Sequence, residues 1–203
     1  MVENRFSEFL TRNGRHCELV DVPGAESIRK NLLNKWLIKN RNSLKCIIFA
    51  VDSAAFGRNS KDVAELLYDV IADSASDVPI LVACNKQDLR SSSQNNSTNK
   101  VYSSEAISVE LEREFGLINL SRAISLASTS GGADGSSART LTNSGADFRW
   151  TELSRRPRGA SHALVSFTEC SAQRDGVERD EHDVNNSGSA LSMDSVRVWI
   201  DSI

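Results

Sequence analysis

Three short stretches put chemically capable residues where an apolar run stops: Asp21-Val-Pro-Gly24, Asn85-Lys-Gln-Asp88 and Glu169-Cys-Ser-Ala172. Asp88 offers two acceptor oxygens that can take a pair of adjacent N–H donors. Guanine presents such a pair on N1 and its exocyclic N2; adenine does not. Lys86 has an alkyl stem that can lie along a flat ring. The Asn85 amide can brace neighbouring loops. Ser171 and Ala172 are small enough for backbone N–H groups there to reach a carbonyl such as guanine O6. Asp21 is a hard oxygen ligand suited to Mg²⁺, directly or through water. Gly24 lets a backbone N–H approach a phosphate closely. The bland alternative is that Asp21 and Asp88 cap loops and Asn85 shapes a turn. Each motif alone is common; all three in this order, each ending a strand, make a specific pattern.

Those residues need strands to deliver them. "ENRFSEFL" and "HCELVD" read as two strands joined at Asn13-Gly14, a strong hairpin signal. From Glu26 to Asn40 the apolar positions Ile28, Leu32, Leu33, Trp36 and Leu37 fall at helical spacing. "LKCIIFAVD" is a continuous apolar strand of the kind buried on both faces. "RNSKDVAELLYDVIADS" is a helix with Ser60 as its candidate N-cap and one stripe of Val63, Leu66, Leu67, Val70 and Ile71. "PILVAC" is the next strand. Ser104 to Phe115 is an amphipathic helix that Gly116 is expected to stop.

Residues 125–145 are Ser/Gly-rich and read as a flexible insertion, too poor in apolar area to offset the entropy of ordering. "HALVSFTECSA" is a further strand. A final helix is expected to turn Leu191, Val196, Trp199 and Ile200 inward. Strands alternating with helices predict one α/β domain over 1–203, a parallel sheet with helices on both faces, and the hairpin as an antiparallel edge. The carboxyl ends of parallel strands share one edge, so the three polar stretches are expected to converge there.

The 203 residues carry a net charge of -3, with 39% hydrophobic and 25% charged, which suits a globular domain and argues against a broad nucleic-acid surface. No direct nucleic-acid partner is expected. Cys17, Cys46, Cys84 and Cys170 form no C-x-x-C pair and lie in or beside apolar runs, so they read as buried free thiols of a cytosolic compartment. His16, His162 and His182 add no metal spacing. The longest wholly apolar run, Cys46 to Val51, is far short of the about 20 residues a membrane span needs.

The motif set "DVPG", "NKQD" and "ECSA" resembles that of small GTPases. "LVDVPGAESIRK", "IIFAVDSAAFGRNSKDVAELLYDVIADS", "ILVACNKQDL" and "FTECSA" together are similar to the β subunits of the signal recognition particle receptor. The aromatic stretch "DFRWTEL" fits the same family. The resemblance implies a P-loop-GTPase-like fold and binding of GTP or GDP with Mg²⁺. It also implies a place on the cytosolic face of the endoplasmic reticulum membrane, holding the receptor α subunit and acting indirectly on ribosome and translocon. By carry-over, Asn85, Lys86 and Asp88 bind guanine, Ser171 and Ala172 lie behind it with Ala172 at O6, Gly24 meets the γ-phosphate, and Asp21 joins the Mg²⁺ shell.

The chain departs from the family pattern in two places. A P-loop needs G-x-x-x-x-G-K-S/T, and no glycine here is followed by lysine. The family's membrane anchor, first strand, P-loop and first helix precede the hairpin, so this chain is expected to be N-terminally truncated. Ala25 stands where small GTPases place a water-orienting glutamine. Weak nucleotide binding and no turnover by the chain alone are the expectation. Two alternatives stay open: a nucleotide-free protein-interaction module of the same fold, and a trafficking GTPase of the Arf or Rab type.

Overall fold

The strand Ile80–Asn85 (β4) is apolar through Cys84 and buried along almost its whole length. Such a strand needs neighbours on both edges and cover on both faces. In the structure, a computed structural model that describes residues 4–11, 14, 16–74, 78–92, 100–128, 140–142, 147–153, 164–172 and 193–203, it has both. Ile47–Asp52 (β3) and Val165–Glu169 (β5) flank it in a parallel sheet of order β3-β4-β5. The register sets Ile47 opposite Ile80, Asp52 opposite Asn85, and Cys84 opposite Glu169.

Alternate side chains of β4 go to opposite faces. Ile80, Val82 and Cys84 join a core with Leu67, Tyr68 and Ile71 of α2 (Phe56–Asp73) and Ile107, Leu111 and Phe115 of α4 (Ser104–Ser128). Leu81 and Ala83 join a second core with Val196 and Trp199 of α5 (Asp194–Asp201). A short helix, α3 (Leu89–Ser92), follows β4. Helices thus cover both faces of a parallel sheet, as the alternating pattern predicts. Aromatic rings brace the first core: Phe115 lies 5.2 Å from Tyr68, 5.1 Å from Phe148 and 5.0 Å from Trp150, centroid to centroid.

The hairpin forms from Asn4–Leu10 (β1) and His16–Asp21 (β2), but as a two-stranded sheet of its own. Gly14 takes φ 73° and donates its N–H to the Thr11 carbonyl at 2.9 Å, a conformation that suits glycine. The expected antiparallel edge is therefore corrected: among the described residues no strand ladder joins β2 to β3. Burial pushes the Cys46 thiol, just before β3, up to about 11, and the nearby Cys17 of β2 adds to that shift.

Several boundaries also differ. β3 is not buried on both faces: Val51 is buried but Ala50 is exposed, because β3 is an edge of its sheet. α1 (Glu26–Leu33) passes into a π-helical stretch, Asn34–Lys39, closed by the Asn40 N–H on the Lys35 carbonyl at 2.9 Å. α2 starts at Phe56, so Ser60 is interior and caps nothing. α4 runs straight through Gly116 to Ser128. Phe115 and Asn119 are buried on either side of that glycine, and their packing outweighs its cost of about 1 kcal/mol in a helix. Residues 125–128 of the expected insertion are thus the last turn of α4. Leu141 is pinned by its N–H on the Tyr68 hydroxyl at 2.9 Å, and Thr142 by the Asn119 amide at 3.0 Å. Residues 129–139 and 143–145, and Leu191, lie outside the described residues. All four cysteines are free; Cys84 and Cys170 are buried, Cys17 and Cys46 only half-buried.

The β3 edge gives a direct test. Ile47 N–H bonds Pro79 and Ser53 N–H bonds Asn85, so the odd residues of β3 face β4. The amides of Ile48 and Ala50 then point to the open edge. Hydrogen exchange should be about tenfold or more faster at Ile48 and Ala50 than at Phe49 and Val51. Equal protection would show a further strand on that edge.

Candidate base-binding site

β4 and β5 end side by side, and the polar residues that follow them meet. The Asn85 carbonyl accepts the Ser53 N–H at 3.1 Å. Its side-chain Oδ1 accepts two more N–H groups, from Lys86 at 2.8 Å and from Ala172 at 3.0 Å. One residue, through its carbonyl and its side chain, thereby joins the ends of all three strands. Asp88 sits in the turn after β4, and the buried Ser171 hydroxyl donates to its Oδ1. Asn85, Lys86, Asp88, Ser171 and Ala172 therefore form one cluster at the carboxyl edge of the sheet.

The turn that carries Lys86 and Asp88 is tied down from beneath. Lys86 is the one described non-glycine residue with positive φ, at 67°. Such a conformation survives only where surrounding bonds fix it. Here the Leu89 N–H reaches the Lys86 carbonyl at 3.2 Å, and the Gln87 N–H reaches the Cys170 carbonyl at 3.3 Å. Gln87 is fully buried. Its Nε2 donates to Ser53 Oγ at 2.9 Å and to the Tyr102 carbonyl at 2.8 Å. The Tyr102 N–H returns to the Ser53 carbonyl at 3.1 Å. Glu169, at the end of β5, does the same on the far side. Its Oε1 accepts the Ser104 N–H that opens α4 at 3.0 Å and Arg90 Nη2 at 3.2 Å. Its carbonyl accepts the Ser195 hydroxyl at 2.9 Å.

Asp52, the last residue of β3, completes the site. Its Oδ1 accepts the N–H groups of Ala54 at 3.0 Å and Ala55 at 3.1 Å, which starts α2. Its Oδ2 meets Lys86 Nζ at 2.6 Å. Burial alone would raise the Asp52 pKa, but the Lys86 bond and the two backbone N–H bonds outweigh it and hold it below the ordinary 3.8. The sequence reading missed Asp52, Ser53, Gln87 and the cap made by Glu169. Asp52 had a visible signal, the same first polar residue after an apolar strand that singles out Asn85.

Asp21 and Gly24 belong elsewhere. Asp21 ends β2 opposite Asn4, exposed. Gly24 lies in the turn before α1, with open space where a side chain would stand, and its carbonyl accepts Arg29 Nη1 at 3.1 Å. Among the described residues no group of three or more His, Cys, Asp or Glu side chains converges to hold a metal. The strand-end cluster is thus a built set of polar partners, and Asp21 and Gly24 lie apart from it.

The profile of the family described as "Signal recognition particle receptor beta subunit" matches residues 1–156. Over 163 residues the chain is 33% identical to the signal recognition particle receptor subunit beta of Mus musculus, covering 79% of this chain and 52% of that protein. The Homo sapiens protein of the same name is 34% identical with the same coverage. The chain thus spans about half the length of these curated relatives. A solved structure titled "The Structure of the Mammalian SRP Receptor" superposes with a TM-score of 0.64 at 26% identity, covering 98% of this chain and 80% of that one.

Two outcomes follow from the geometry. Gln87→Ala leaves buried acceptors on Ser53 and Tyr102 without their donor, and should cost about 1–3 kcal/mol in a denaturant melt. A cost near zero would remove Gln87 as the tie beneath the turn. Asp52 has a folded pKa below its unfolded one, so its stabilising contribution is full above the unfolded value and is lost as pH falls through the folded one. Asp52→Asn should therefore flatten the fall in denaturant midpoint below about pH 4. An unchanged acid limb would mean that the carboxylate is not held as described.

Proposed function

The chain belongs to the signal recognition particle receptor beta subunit family, and from that premise we propose that it binds guanine nucleotides at the strand-end cluster and assembles with the receptor's alpha subunit. The observation that carries the nucleotide reading is the meeting of Asp88, Ser171, Asn85 and Ala172 at one edge. Asp88 has the paired acceptors that guanine N1–H and N2–H require, and adenine offers no such pair. The exposed stem of Lys86 is the flat apolar wall for the ring. The Ala172 N–H lies at the same edge and would exchange its Asn85 partner for guanine O6. The Arf or Rab alternative gives way to the family match.

The phosphate end is thinner. Gly24 would meet the γ-phosphate, and Asp21 would contribute one oxygen to a Mg²⁺ shell completed by phosphates and water. GTP and GDP with Mg²⁺ are the ligands of this reading. No glycine of the chain is followed by lysine, so these residues supply no P-loop lysine. A few base contacts at about 0.5–1.5 kcal/mol each, or about 1.5–3 to a charged group, remain to offset immobilisation of the ligand.

On the partner side, α1 and the π-helical stretch after the "DVPG" turn present Ser27 and Ile38 to solvent, with Arg29 half-exposed beside them. This is the face proposed for the alpha subunit, at the cytosolic surface of the endoplasmic reticulum, in co-translational targeting. Among the described residues no helix is long and apolar enough to cross a membrane.

Titrating the purified chain with a fluorescent GDP or GTP tests the nucleotide reading. The expected dissociation constants are about millimolar, with little distinction between the two nucleotides and no turnover. No binding at all would leave the nucleotide-free interaction module as the surviving alternative. Submicromolar, Mg²⁺-dependent binding would show that another segment grips the phosphates. Capture of the alpha subunit should weaken with Ser27→Glu and Arg29→Ala; unaltered capture would move the interface elsewhere.

A further inference from the structure

We propose that Asp52 is a positioning residue for base recognition: it fixes the Lys86 ammonium so that the lysine stem stands as a rigid wall before any ligand arrives. The inference rests on the strand-end cluster being the base site. Lys86 is held at both ends. Its backbone is fixed at φ 67° by the bond from its N–H to Asn85 Oδ1 and the bond from Leu89 N–H to its carbonyl. Its far end is fixed by Asp52 Oδ2 at 2.6 Å, its one ion-pair partner among the described residues. The methylenes between are thereby stretched from the end of β4 to the end of β3.

Asp52 is suited to this because it is itself rigid. A carboxylate on a surface loop would follow the lysine about. Here Oδ1 is spent on the Ala54 and Ala55 N–H groups, so Oδ2 stays aimed at the lysine. Aspartate is short enough to bond the backbone two and three residues ahead, which glutamate does not reproduce. The pair is half-exposed, with side-chain exposures of 51% and 37%, and a pair in that setting adds little to stability. Its effect falls instead on the ligand. A lysine already biased toward this rotamer has less freedom to lose when a ring lies on its stem.

The test separates holding the lysine from starting the helix. Asp52→Asn keeps an oxygen for Ala54 and Ala55 and removes the charge that holds Lys86. Lys86→Met keeps an apolar stem and removes the ammonium. Guanosine, with no phosphate, is titrated into the full chain and followed by NMR shifts for the wild type, each variant and the double variant. Adenosine is the control. Asp52→Asn should weaken guanosine binding about three- to fivefold. In the Lys86→Met background the same change should have no effect. Equal affinity of Asp52→Asn and wild type overturns the proposal, and so does an equal loss in both backgrounds, which marks a merely structural role. In both of those cases the wild type still binds guanosine and the base-site reading survives. A wild type that binds no guanosine overturns that reading and this proposal together.

Discussion

The structure turns on the three hydrogen bonds that Asn85 accepts. Its carbonyl takes the Ser53 N–H after β3, and its side chain takes the N–H groups of Lys86 after β4 and Ala172 after β5. A parallel sheet leaves its strand ends splayed into separate loops, with backbone donors in want of partners. Asn85 satisfies one donor from each of the three loops and so makes a single surface of them. The pairing of the strands sets Asp52 opposite Asn85, and across these same ends Asp88 meets Ser171 and Lys86 meets Asp52.

That surface is carried by a sheet with two unequal faces. On one, the aromatic cluster of Tyr68, Phe115, Phe148 and Trp150 fills the space between α2, α4 and the sheet. On the other, Val196 and Trp199 of α5 meet Leu81 and Ala83. Glu169 links both sides to the site, since its carboxylate receives the first N–H of α4 and its carbonyl receives Ser195 of α5. The helices therefore set the height at which Ser171 and Ala172 leave β5. Asp21 and Gly24 lie away from these ties. Asp21 ends a two-stranded sheet that pairs with neither edge of the main one among the described residues, and Gly24 lies in the turn from it to α1.

How much of this was legible in the sequence differs by level. The strand-then-polar pattern at Asn85 and Glu169 placed both strand ends correctly, because an apolar run that stops abruptly leaves few positions for the turn. The start of α2 was misread at Ser60, since propensity favours a serine cap, whereas Asp52 bonds the backbone of a turn that local sequence does not display. Gly116 looked like a stop because its cost is local, while the packing of Phe115 and Asn119 that outweighs it is tertiary. Gln87 looked like the variable member of Asn-Lys-x-Asp and proved to be a buried tie. Its partners Ser53 and Tyr102 come from segments far apart in the chain, so no spacing rule reveals them. The exposed edge of β3 was hidden for a similar reason: composition tells that a strand is apolar, not how many neighbours it has.

The role proposed for Asp88 is to read the donor edge of guanine. Base specificity tests it most directly. Asp88→Asn replaces two acceptors by one acceptor and one donor, which suits a base with a carbonyl in place of the exocyclic amine. Guanosine and xanthosine should be titrated into both proteins and followed by NMR. The wild type should favour guanosine, and Asp88→Asn should reverse the preference toward xanthosine. A variant that keeps the wild-type order of affinities would contradict it.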